Sequence, residues 1–419
     1  MDGQEVLRDI GLILGAGLLA VPVASLLRIP VMLVLVGAGA LVGPSVLGLV
    51  ENPLDGIGAQ LVFTLGVSLI LFHGGLQISL RVISRTAFGL GMLVLPGVLI
   101  TALIVATVTA PVFSVPFTVA LLIGAVLAAT DPAILIPLFD RLRLRPKISQ
   151  TVIAESAFND PTGTILALAI ATAIVGGGVT MSDTVLAFGQ SLAVGALFGL
   201  GGGLLLALML SSHRVGIWRE SPAVAVLALV SLEYFTADEF GGSSYLAAFV
   251  MGLVVANSDL FGIRRNLEHT GKLKSFMDQV AEIAVLAVFV TLGINLPFAA
   301  LQEYFWGGLV VMAVFIFVAR PVTVLVCLLP DRRGKWTWQE LVFLSWCRET
   351  GVVPAAIASL LLARQVEGAE IAVALVAMAI VVTLLLQATT AGLLARRLGL
   401  IEGGALLSSG PEVGRSLRG

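Results

Sequence analysis

The chemistry in this chain is concentrated in two short stretches. The first is Thr130-Asp131-Pro132. The second, Glu155-Ser156-Ala157-Phe158-Asn159-Asp160-Pro161, sets four polar groups within six residues. On a helix, Glu155 and Asn159 share one face and Ser156 and Asp160 the adjacent one. Two arginines stand in equally apolar surroundings: Arg320, followed by Pro321, and Arg348, which opens Arg348-Glu349-Thr350-Gly351-Val352-Val353-Pro354. Carboxylates beside proline-broken backbone make an oxygen-rich nook suited to a small hard cation, and the same carboxylates can carry a proton.

Those residues matter because of where they lie. Of the 419 residues, 58% are hydrophobic and only 12% charged, and mean hydropathy is +1.05. Soluble domains carry about 25% charged residues. A water-soluble core could not hide so much apolar surface. The net charge of −2 and the absence of a basic domain exclude a nucleic-acid binder. The two cysteines, Cys327 and Cys347, lie in apolar runs and suggest neither a disulfide framework nor a zinc site. The apolar run after Arg8 reads as a first span rather than a cleaved signal. The expected class is an all-α polytopic membrane protein whose surroundings are the lipid bilayer.

A crossing needs about 20 mostly apolar residues. Charged and Pro/Gly-rich punctuation divides the chain into thirteen segments, roughly 9–28, 30–49, 57–79, 86–112, 115–140, 148–176, 184–211, 221–236, 242–258, 277–295, 304–330, 338–364 and 368–395. With thirteen spans, twenty of the 24 basic residues fall on the side of the C-terminus. Basic loops stay cytoplasmic, so the N-terminus is expected outside and the C-terminus inside. Spans five and twelve are both interrupted near mid-membrane, and their odd offset inverts orientation. Spans 1–6 and 8–13 are therefore expected to form two inverted repeats, the arrangement that marks a transporter's site.

At bilayer depth each ionisable group costs several kcal/mol unless paired or hydrated. Asp131 sits about nine residues, at ~1.5 Å each, from the end of its span. It binds a cation, caps the second half-helix at a proline kink, or does both. Arg320 supplies a positive charge that can neutralise Glu155, a pair that would brace the bundle and leave Asp160 free to exchange ions. Glu282 reads as a solvated residue near a helix end. His73, in Leu71-Phe72-His73-Gly74-Gly75, either senses pH or is a satisfied polar residue.

These motifs, with Arg320 and the Arg348 segment, resemble the cation:proton antiporter superfamily, and more closely the NhaP-type sodium/proton antiporters related to eukaryotic sodium/proton exchangers. The resemblance implies an NhaA/NhaP-like fold and a homodimer. Each protomer would have a dimerisation domain (1–82 and 179–298), a mobile core domain (83–178 and 299–398) and a tail (399–419). It implies that Asp160 is the main ion-binding carboxylate, helped by Asp131, the Thr130 carbonyl and Ser156, with Na⁺ held among those four. It also implies that Glu155 pairs with Arg320, and that Asn159 stands where electrogenic relatives have a second aspartate. Two positions depart from the family pattern: His73 stands where an acidic residue is frequent, and Glu349 where glycine is common.

The expected activity is electroneutral exchange of Na⁺ or Li⁺ for H⁺ at the cell membrane, with no cofactor beyond the transported ions. Potassium/proton antiport on the same scaffold is the alternative. A gated cation channel is a more remote one, since no filter loop is visible. An intramembrane hydrolase at Asp131 and Asp160 would need a nucleophile motif that the sequence does not display.

Overall fold

A computed structural model describes residues 3–27, 29–50, 57–84, 86–130, 139, 142–176, 181–211, 221–263, 267–296 and 298–401. Among the described residues the regular elements are all helices, joined by short turns and loops, with an isolated bridge between Leu144 and Ile401. The described part of each of the thirteen expected segments contains helix. Among the described residues, seven helices are long and apolar enough to cross a membrane, and five shorter apolar helices accompany them. This is an integral, multi-pass membrane protein. Leu18, Leu19 and Leu26 on the first helix are 69–81% exposed, as expected for side chains facing lipid.

The helices are α1 (Gly3–Leu27), α2 (Val31–Val42), α3 (Ile57–Leu76), the short α4 (Leu80–Ile83), α5 (Ala87–Val94), α6 (Pro96–Phe113), α7 (Phe117–Ala128), α8 (Pro146–Gly176) and α9 (Met181–Met209). They continue with α10 (Pro222–Glu239), α11 (Ser244–Ala256), α12 (Leu267–Ile294), α13 (Phe298–Val314), α14 (Arg320–Leu328), α15 (Trp338–Trp346), α16 (Val352–Ala363), α17 (Ala369–Val382) and α18 (Thr389–Arg397). Lipid offers little hydrophobic drive for helix association, so close packing takes its place. A Cβ on Gly39 would overlap the Val290 carbonyl, and one on Gly293 the Val36 carbonyl, so α2 and α12 meet backbone to backbone. Gly75 against Phe249 and Gly252 against Phe72 do the same for α3 and α11.

Two interruptions dominate the second half of the chain. Span eleven widens into a π-turn, Phe315–Ala319, immediately before Arg320-Pro321. Pro321 has no amide hydrogen and its ring would clash with the carbonyl four residues back; the widened turn relieves this, and the Arg320 amide donates to the Phe315 carbonyl. Span twelve is broken between α15 and α16, with residues 347–351 non-helical. Span five ends its first half at α7, after which Ala129 turns extended.

The tenth span departs from expectation. The polar stretch 259–278 reads as a link, yet α12 already begins at Leu267. Leu273, Met277, Ala281 and Ala284 are buried at helical spacing, so one apolar stripe carries the helix through the polar stretch while its other face stays polar. Glu282 is consequently mid-helix, exposed on the polar side.

Candidate functional site

The polar face of α8 is buried as a unit: Glu155 is 2% exposed, Ser156 5%, Asn159 2% and Asp160 4%. Thr130 follows the end of α7, and its hydroxyl donates to Ser156 Oγ at 3.0 Å. This hydrogen bond ties the break in span five to the face bearing Asp160, one turn further along α8. Asp131 and Pro132 lie outside the described residues.

Arg320 meets Glu155 through both guanidinium ends. Nη1 donates to Oε1, and Nη2 to Oε2 at 2.9 Å. Both side chains are almost wholly buried. Nε of Arg320 donates to the Leu344 carbonyl at 2.9 Å, and Nη2 also reaches the Cys347 carbonyl at 3.4 Å. One guanidinium thus neutralises a buried carboxylate and satisfies backbone oxygens at the C-terminal end of the half-helix α15. Asn159 Nδ2 approaches Glu155 Oε1 at 3.5 Å.

Arg348 does the corresponding task on the other broken span. Its Nη2 donates to the carbonyls of Ala128 (2.7 Å) and Leu127 (3.3 Å), and its guanidinium carbon stands 4.8 Å from the centre of the Phe315 ring. Helix C-termini present unpaired carbonyls and partial negative charge, so a cation at each is favourable. Glu349 is buried in the same break, next to Arg348. The break is held from a second side by a π-turn in span thirteen, Thr383–Ala388. Gln387 Nε2 donates to the Trp346 carbonyl at 2.7 Å, and Thr383 Oγ1 accepts from the Thr350 amide at 3.3 Å.

A cavity of about 400 Å³ reaches Asp160. Ile153 and Ala157 of α8, His73, Gly74 and Gln77 at α3, and Asp278 and Glu282 of α12 line it. His73 Nε2 lies 2.9 Å from Asp278 Oδ1 and 3.0 Å from Gln77 Nε2. Asp160 is therefore buried yet faces an accessible space with charged walls. Among the described residues, no three His, Cys, Asp or Glu side chains converge as metal ligands would.

Asp278, Gln77, Thr383 and Gln387 escape a reading of the sequence. Asp278 carried a usable signal, since it stands four residues from Glu282 on one helix face. The roles of Thr383 and Gln387 depend on a π-turn that residue types do not announce.

The pattern shared by sodium/hydrogen exchangers in their transmembrane part matches residues 12–397. The chain belongs to the sodium/hydrogen exchanger family. Within that family it is 31% identical over 374 residues to Na(+)/H(+) antiporter 1 of Methanocaldococcus jannaschii, covering 85% of this chain and 83% of that protein. It is 29% identical over 397 residues to the K(+)/H(+) antiporter NhaP2 of Shewanella oneidensis, covering 92% of this chain but only 66% of that longer relative. The fold matches the structure of the sodium proton antiporter MjNhaP1 from Methanocaldococcus jannaschii at pH 8, with a TM-score of 0.81, 27% identity, and coverage of 95% of this chain and 99% of that one. The exchanger fold expected from the motifs is therefore present.

Proposed function

We propose that this chain exchanges Na⁺ or Li⁺ for H⁺ by alternating access, with Asp160 as the shared site. The observation that carries the reading is a carboxylate 4% exposed that nonetheless lines a cavity of about 400 Å³. Desolvation penalises the bare charge, so a proton and a dehydrated cation compete for Asp160, and either neutralises it for crossing. Ser156, hydrogen-bonded to the Thr130 hydroxyl, and the Thr130 carbonyl would serve as neutral oxygen ligands, and Asp131 would complete the set. Glu155, paired with Arg320, would stay out of the exchange. Asn159 adds no second exchanging charge, which makes the cycle electroneutral. The chemistry asks for no cofactor and no enzymatic step.

Residues 1–82 and 179–298 would form the dimerising frame of a homodimer. Residues 83–178 and 299–398 would form the moving body, in a cell membrane with the N-terminus outside. The match to K(+)/H(+) antiporters favours potassium as the second reading. Proton flux in proteoliposomes against separate Na⁺, Li⁺ and K⁺ gradients tests both readings. Sodium- or lithium-driven flux supports the first and potassium-driven flux the second. Conductance without proton coupling would overturn both.

A further inference from the structure

A second hollow, of about 500 Å³, opens at the surface among α14, α15 and α18, and residues of the π-turn before Arg320 also line it. Its walls are apolar: Phe317, Leu325, Leu341 and Leu394 are among its lining residues. Ser345 and Thr390 also line it, and the Thr390 hydroxyl is already engaged, accepting from Trp346 Nε1 at 2.8 Å and donating to the Leu386 carbonyl at 2.6 Å. The hollow therefore offers a polar solute little and a hydrocarbon chain a great deal.

One end is different. Trp338 opens α15 and Arg397 closes α18, and both line the hollow. Trp338 is 66% exposed, the placement of an aromatic ring at a membrane–water boundary. Arg332, Arg333, Lys335 and Arg396 are exposed at the same end of these helices. The acidic residues there are turned inward and occupied. Asp331 accepts from the Gly334 amide and from Trp336 Nε1, and Glu340 is bound to Lys147 at 2.6 Å. Among the described residues, no acidic side chain pairs with Arg397.

We propose that this groove holds an acyl chain of an anionic phospholipid, with its headgroup phosphate at Arg397. An apolar trough ending in a basic rim at the interface complements that molecule in both shape and charge. The groove's walls include α15, the half-helix whose end is held by Arg320 and Gln387, so the lipid would brace the outer side of the broken span. This assignment does not depend on the ion exchanged.

The test uses the full chain in a neutral detergent, offered equimolar phosphatidylglycerol and phosphatidylcholine and read by native mass spectrometry. Wild type should retain one phosphatidylglycerol in preference, and Arg397→Gln should lose about fivefold of that preference, the factor for one basic group at a membrane surface. Ser345→Phe, which fills the trough, should lower retention of both lipids. Phosphatidylglycerol with brominated chains should quench tryptophan emission more in wild type than in Trp338→Phe. Equal retention of the two lipids by wild type would overturn the proposal. So would a preference unchanged in Arg397→Gln, retention unchanged in Ser345→Phe, or quenching unchanged in Trp338→Phe.

Discussion

Arg348 caps Ala128. The guanidinium in the break of span twelve donates to the last helical carbonyl of α7 at 2.7 Å, so the C-terminal ends of α7 and α15 are each held by an arginine from another span. Hydrogen bonds to charged groups contribute about 1.5–3 kcal/mol each. Arg348→Ala should accordingly lower the melting temperature in detergent, and Arg348→Lys should recover only a fraction of the loss, because Nη2 holds the two carbonyls while Nη1 reaches Thr101 Oγ1 at 3.4 Å, and a lysine's single nitrogen cannot occupy both positions. Full recovery by lysine would mean that charge alone is at work.

The Glu155–Arg320 pair gives an asymmetric cycle. Removing one partner of a buried ion pair costs about 3–5 kcal/mol. Arg320→Ala also strips the Leu344 and Cys347 carbonyls of a donor, so it should destabilise more than Glu155→Ala. The double variant should be less unstable than the sum of the two. Additive losses in thermal or denaturant unfolding would contradict the pairing.

Asp160→Asn should abolish cation-dependent proton flux while leaving the folded chain and its melting temperature close to wild type. Substantial flux in that variant would move the exchanging carboxylate elsewhere, with Asp131 the first place to look.

Charge stoichiometry follows from Asn159. With one exchanging carboxylate, a membrane potential worth ~2.3 kcal/mol per charge per 100 mV should leave the balancing sodium gradient unshifted. Clamping proteoliposomes with potassium and valinomycin, once potassium transport has been measured, tests this. A balance point that follows voltage refutes one-for-one exchange.

His73 supplies a pH prediction. Its ring faces Asp278 across the cavity, with Glu282 on the same wall and Lys274 one turn away on α12. Protonated His73 neutralises Asp278; neutral His73 leaves that carboxylate's charge in the passage, where it attracts cations. The apparent KM for sodium should therefore rise more steeply on acidification in wild type than in His73→Gln. Identical profiles would leave His73 a satisfied polar residue only.

Much of this was legible in the residues, for a definite reason. A charge in hydrocarbon must be neutralised, so Glu155 and Arg320, 165 positions apart, point to one another by residue type alone. The break in span twelve could be read from Gly351 and Pro354, because both weaken helix locally. What Arg348 does there could not be read, since its acceptors are backbone oxygens of Leu127 and Ala128 and carry no residue identity. The early start of α12 was hidden by Lys272 and Lys274, which are polar on the face turned away from Leu273 and Met277. Widened turns at Phe315 and Thr383 leave still less trace, being adjustments of backbone pitch rather than of composition.

The adjacent glycines of α3 have opposite neighbours. Gly75 is pressed on the α11 backbone, where an added methyl would have to push the main chains of both helices apart, whereas at Gly74 a methyl would sit 3.9 Å from the Ala157 side chain on α8. Main-chain contact fixes the spacing of two helix axes regardless of rotamer, temperature or bound ion; a seam of small side chains at ordinary separation resists shear far less. One peptide bond thus separates a weld from a bearing, and the bearing surface lies one turn of α8 from Asp160.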